Sequence, residues 1–142
     1  MLSTTRPIVV TPSGNKRFSL EIRGHHLTVD QPVDVGGNDD GPMPIELLGA
    51  SLGSCVALYV QEFLHARGHS GEGMRVEIMQ HAATEPPRVG DFNVRVVLPM
   101  QLPPAYGELI ERTIVRCPAY STLTYGARVG VTVEMAKGTV FV

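Results

Sequence analysis

Polar and apolar residues alternate in several segments of the chain, and helical spacing occupies stretches between them. After an apolar run at Ile8–Thr11 and the turn T-P-S-G-N, the stretch R-F-S-L-E-I-R places Phe18, Leu20 and Ile22 on one face. Ser19, Glu21 and Arg23 take the other face. Period-two alternation of this kind marks a half-buried strand. A turn is expected at Gly24-His25-His26, followed by a returning strand at Leu27–Asp30. From Gln31 to Pro44 the chain changes to Pro, Gly, Asp and Asn, which predicts a loop longer than most connections.

Pro44 suits the first turn of a helix, and Glu46 suits its positive end. The predicted helix runs to Arg67, where Gly68 stops it, a span of roughly 35 Å. Its apolar residues, among them Leu48, Leu52, Val56, Leu58, Val60 and Phe63, point in nearly every direction. A helix apolar all round must be covered all round. Gly49, Ala50, Ser51, Gly53 and Ser54 also let another backbone approach closely. A chain with few strands struggles to wrap such a helix, so a second copy is expected. Cys55 stands at the helix's middle.

Two further alternating segments, M-R-V-E-I-M and F-N-V-R-V-V-L, flank A-A-T-E-P-P-R-V-G-D, expected as the loop of a hairpin. Pro103-Pro104 opens an amphipathic helix with Tyr106, Leu109, Ile110 and Ile114 on one face. That helix should break at Cys117, because Pro118 follows it. A short helix P-A-Y-S-T-L-T-Y and strands at Ala127–Met135 and Thr139–Val142 close the chain. Hairpin strands with helices between them predict an α+β fold with antiparallel sheets, built as a single domain over residues 1–142.

Composition narrows the functional classes. The 142 residues make about one domain, and a net charge of −2 with scattered basic residues offers no surface for nucleic acid. The N-terminus lacks the basic and apolar regions of a secretory signal. The longest apolar stretch, about Leu47–Val60, is shorter than the ~20 residues of a membrane span, so a buried core helix in a cytoplasmic protein is expected. Two cysteines, Cys55 and Cys117, cannot build a disulfide framework. They are either buried bystanders or reagents. Cys117, just before Pro118, falls at a helix N-cap, where free N–H groups favour a thiolate. Cys55 lies mid-helix and needs a neighbour to activate it. His65 and His69 have metal-pair spacing, but Gly68 ends the helix between them and no third ligand stands nearby in the sequence.

The stretch G-G-N-D-D-G-P-M-P-I-E-L-L-G-A-S-L-G-S-C resembles the hallmark of the OsmC/Ohr family, the osmotically inducible and organic hydroperoxide resistance proteins. R-C-P-A-Y-S-T-L is similar to that family's second cysteine element. G-H-H-L-T-V-D resembles an early stretch of its general OsmC-like branch. The resemblance implies an intertwined homodimer, with the long helices at its centre, and reduction of organic hydroperoxides by thiols. Cys55 matches the cysteine that attacks the peroxide, and Cys117 the one that resolves the sulfenic acid as a disulfide. A dithiol reductant, lipoyl-type in the hydroperoxide branch, then resets the pair. No metal or prosthetic cofactor is implied. The hydroperoxide branch places a glutamate ten residues before the helix cysteine, where this chain has Ile45, with Glu46 one residue later. That branch also uses an arginine, for which Arg17 and Arg23 are the candidates here. These departures keep open a second reading: a non-catalytic dimer that binds a small apolar or thiol-reactive ligand or senses redox state.

Overall fold

The computed structural model describes residues 6–136 and 138–141. Strands β1 (Val9–Pro12), β2 (Phe18–Ile22) and β3 (His25–Val29) form an antiparallel sheet in that order. Ile22 pairs with His25, so the β2–β3 connection is the two residues Arg23-Gly24, both with positive φ (54° and 87°). Tight hairpin turns need that conformation to match the twist of the strands. The two histidines therefore belong to β3 rather than to the turn expected for them.

Residues 31–44 contain one 3₁₀ turn, Val33–Val35, and lead into helix α1 (Glu46–His65). Glu46 Oε2 accepts the Met43 N–H at 2.8 Å and holds the entry to the helix. At the other end Gly68 takes φ 76°, and the Gly68 and His69 N–H groups turn back onto the last carbonyls. A left-handed glycine just past a helix stops it in this way. The Arg67 guanidinium lies 3.7 Å over the Phe63 ring and donates to the Phe63 carbonyl.

Strands β4 (Arg75–Thr84) and β5 (Pro87–Val97) form one long antiparallel hairpin. The expected loop is thus mostly strand, with only Glu85 and Pro86 between β4 and β5. Its irregularity is a bulge: Asp91 faces His81 and Val89 faces Ala82, leaving Gly90 as the extra residue. Helices α2 (Ala105–Ile114) and α3 (Pro118–Tyr125) follow, then the antiparallel pair β6 (Thr132–Met135) and β7 (Gly138–Phe141). The fold is α+β, with antiparallel sheets.

The core forms where α1 lies on β4–β5 and is met by α2 and α3. Leu52, Val56, Val60, Phe63 and Leu64 of α1 are buried with Ile110 and Cys117. Val76, Ile78, Phe92, Val94 and Val96 of the hairpin pack against them. Helix α1 is long and apolar enough to cross a membrane, but this face of it is core. Its other side is open: Ile45, Leu48 and Leu58 are 41%, 43% and 51% exposed. Among the described residues, the β1–β3 sheet has no extensive packing against the helices or β4–β5.

Candidate active site

Helix α3 is where the two thiols meet. Pro118 restricts the residue before it to extended backbone, and Cys117 accordingly has φ −61° and ψ 127°. That conformation ends the α2 segment and makes Cys117 the N-cap of α3, as its place before Pro118 predicts. The Cys117 N–H donates to Ile114 O at 2.9 Å, and its carbonyl accepts the Ser121 N–H at 3.0 Å. Its side chain is fully buried and makes no capping hydrogen bond. On α1, half-buried Cys55 packs into the same cluster. Both thiols are free.

Burial pushes the Cys55 thiol above its usual range, and the neighbouring Cys117 side chain adds to the rise. The Ala119 backbone N–H pulls the other way, while the nearby Cys117 charge again disfavours ionisation. No cationic side chain figures among these influences within the described residues. An apolar crevice of about 190 Å³ is lined by Leu52, Phe92, Val94, Tyr120, Leu123 and Thr124, and neither cysteine is among its lining residues. Leu52 precedes Cys55 by nearly one helical turn, and Tyr120 follows Cys117 by as much. A half-buried thiol packed in an apolar cluster suits attack on an apolar reactant.

The other candidate residues lie elsewhere in the protomer. The Arg17 guanidinium pairs with Asp40 at 2.7 Å and donates to the Ser13 carbonyl. Arg23 sits at the exposed tip of the β2–β3 hairpin. Glu46 lies nine residues from Cys55, which puts it about half a revolution round the helix and roughly 13 Å along it. It lines a groove between α1 and β4 with Gly49, Ala50, Gly53 and Gln80. Ile45 is exposed, and its carbonyl accepts a 3.4 Å hydrogen bond from Gln80. His69 meets the Tyr106 ring edge-on, and no group of side chains able to hold a metal occurs among the described residues.

Two features of the region escape a sequence reading. Asp30, 1% exposed, accepts N–H groups from Gln31 at 2.8 Å and from Asn38 and Asp40 at 3.1 Å each. Burial raises its carboxyl, but the donors of Asp40, Gln31 and Asn38, with the Arg17 charge, outweigh it and hold it below the usual range. The loop before α1 is thereby wound around a buried anion. The second feature is the Ala119 N–H at Cys55, a backbone group with no signature in residue type.

The described geometry matches known proteins in fold. A protein of Psychrobacter arcticus 273-4 assigned to the osmotic stress and detoxification response superposes with a TM-score of 0.77 at 22% identity, over 85% of this chain and 90% of that one. An organic hydroperoxide resistance protein OsmC from Legionella pneumophila gives 0.56 at 16%, over 85% and 91%. An OsmC-like hydroperoxide resistance protein from Jannaschia sp. CCS1 gives 0.55 at 16%, over 94% of each chain. No curated protein matches the sequence. The family model for OsmC-like proteins matches residues 37–132, a span that takes in α1, both cysteines and the hairpin between them. The chain belongs to the OsmC-like protein family.

Proposed function

We propose that this protein is a thiol-dependent peroxidase that reduces organic hydroperoxides through Cys55 and Cys117. The observation that carries the reading is the thiol pair: a half-buried cysteine set against a fully buried one in the same apolar cluster. The Cys55 thiolate attacks the outer oxygen of ROOH, the O–O bond breaks, and the alkoxide leaves as ROH after taking a proton. Cys55 is then a sulfenic acid. Cys117 attacks that sulfur, water leaves, and a disulfide forms. A dithiol reductant of lipoyl type restores both thiols by exchange and is itself oxidised to a disulfide. The likeness to organic hydroperoxide resistance proteins supports the substrate class.

The working unit in this proposal is a homodimer in a reducing, cytoplasmic setting. Its support is the uncovered side of α1 and the β1–β3 sheet with little to pack on in its own protomer. Glu46, Arg17 and Arg23 enter the proposal only as groups that a partner protomer would bring to the site.

Intact mass after one equivalent of an alkyl hydroperoxide tests the chemistry. Wild-type protein should lose two hydrogens as the disulfide forms, and Cys55→Ser should be unchanged. Wild-type mass unchanged after full consumption of the peroxide, or an equal response from Cys55→Ser, would overturn the assignment. A second reading, a redox-sensing or ligand-binding dimer, draws on the raised Cys55 thiol and the absence of a cation acting on it among the described residues. That reading expects the disulfide to form without catalytic turnover when dithiol is supplied.

A further inference from the structure

A groove of about 630 Å³ runs between α1 and β4. Its helical wall carries Gly49, Ala50, Gly53 and Ala57, and its other wall carries Ile78 and Met79. Successive residues of a strand point to opposite faces. Both faces of β4 therefore reach the groove, and no residue of β5 lines it, so it follows the free edge of β4. No strand lies beside that edge among the described residues. A sheet edge presents a row of unpaired N–H and C=O groups, and proteins blunt one that stays single with Lys, Pro or short length. Strand β4 is ten residues long with neither Lys nor Pro, and its Arg75 and Glu77 are paired with each other. The helical wall from Glu46 to Ala57 is roughly 16 Å long, about the length of a five-residue strand.

The same chain carries a sheet that lacks a partner. Val10, Leu20 and Leu27 stand in register across β1–β3, with Phe18 and Ile22 on the same face. Val10, Leu27 and Phe18 are 54%, 42% and 38% exposed, so this apolar face is open in its own protomer. The end of β3 is flanked by its own chain, because the Asp30 N–H donates to Pro42 O at 3.1 Å. Strand β1 pairs with β2 alone, which leaves its outer edge as the free one. We propose that β1 of a second copy adds to the free edge of β4, forming a shared sheet in the order β3-β2-β1-β4-β5. The apolar face of β1–β3 then continues that of Val76 and Ile78 and lies over the small-residue wall of α1. Small side chains on that wall let the added backbone come close. This rests on the homodimer proposed above, and it names a backbone ladder as part of what joins the copies. The loop between β3 and α1 is held by Asp30 and by the Arg17–Asp40 pair, which keeps β1–β3 off its own helix. A two-fold pair gives each copy one donating sheet and one accepting edge, so the assembly closes.

Amide exchange and isotope-filtered NOEs read the added strand. In an antiparallel pair, alternate N–H groups of β4 point away from β5. In the wild-type dimer these edge-facing amides should exchange at least ~100-fold more slowly than unprotected chain. In a mixture of labelled and unlabelled protein, NOEs between copies should connect β1 with Ala50, Ala57 or Ile78. Ala50 is exposed and lines the groove, so Ala50→Trp fills it without entering the core. That variant should speed exchange at the edge-facing amides by about tenfold or more. The β5-facing amides should stay protected and report an intact protomer. A dimer whose edge-facing amides exchange freely overturns the inference and leaves the homodimer and its peroxidase chemistry standing. Edge protection unchanged in Ala50→Trp, or NOEs to β4 from β6–β7 in place of β1, overturns it as well. No readout uses hydroperoxide. A protein that meets all of them yet consumes no hydroperoxide would refute the peroxidase proposal and leave the shared sheet standing.

Discussion

At Cys55, desolvation and the neighbouring thiol work against ionisation, and one backbone donor works for it. The sign of the pH dependence follows. A thiol held above the usual value of about 8.5 is only a few per cent thiolate at pH 7. In Cys117→Ala the burial remains, so the alkylation midpoint of Cys55 is expected above that of a free thiol, with the rate rising nearly tenfold from pH 7 to 8. A midpoint below about 7 in stopped-flow alkylation would show that another group activates the sulfur. Stability has a matching dependence. A group whose folded pKa is raised favours the folded state fully below its unfolded pKa, and that contribution is lost as pH rises through the folded value. Thermal melts should therefore show Tm falling above about pH 8.5, less steeply in Cys55→Ser than in the wild type.

The element that most exceeds its sequence description is the loop between β3 and α1. Pro, Gly, Asp and Asn predict irregular chain, but irregular chain can still be rigid. Asp30 gathers three backbone donors, Asn15 donates to the Gly36 carbonyl at 2.6 Å, and Lys16 donates to that of Val35. Gly37 is buried so close to Gln31 that a Cβ would overlap its carbonyl. Gly37→Ala therefore has no soft neighbour to push aside and should break the loop, lowering Tm by roughly 5 °C or more. Asp30→Ala should do likewise, because it strands three N–H groups. Asp30 also carries the opposite pH sign to Cys55. Its lowered carboxyl stabilises the fold above its unfolded pKa of about 3.9, and the contribution is lost as pH falls through the folded value. Amide exchange at Asn38 and Asp40 should stay protected down to about pH 4 in wild type but not in Asp30→Ala. Free exchange there in the wild type would contradict the rigid loop.

At the scale of the whole molecule, α1 is half covered. Its buried face meets β4–β5, α2 and α3, and the side carrying Leu48 and Leu58 is exposed, at 43% and 51%. A homodimer joined along this helix should bury upwards of about 2,000 Å² of largely apolar surface. Light scattering at micromolar concentration should give the mass of two chains, and Leu58→Glu should shift it toward one. A wild-type monomer, or a Leu58→Glu dimer of unchanged affinity, would refute the helix-centred interface.

Periodicity and punctuation in the sequence determined the elements: alternation marked β2, β4 and β5, Gly68 marked the end of α1, and Pro118 marked the break that makes Cys117 an N-cap. These signals are local, so they are legible without the fold. The two motifs that resemble the family also singled out Cys55 and Cys117 before any geometry. The His25-His26 turn and the loop at residues 82–91 fall elsewhere in the structure, because Arg23 takes a positive φ and a bulge at Gly90 lets Pro87–Val89 and Asp91 pair with His81–Thr84. Neither is encoded in polarity. Only the tertiary structure decided that α3 packs on α1 with its first turn at Cys55, that burial outweighs the one donor there, and that Asp30 is a buried anchor. Those outcomes depend on which surfaces exclude water and which backbone donors are left over, and both are properties of packed elements rather than of residue types.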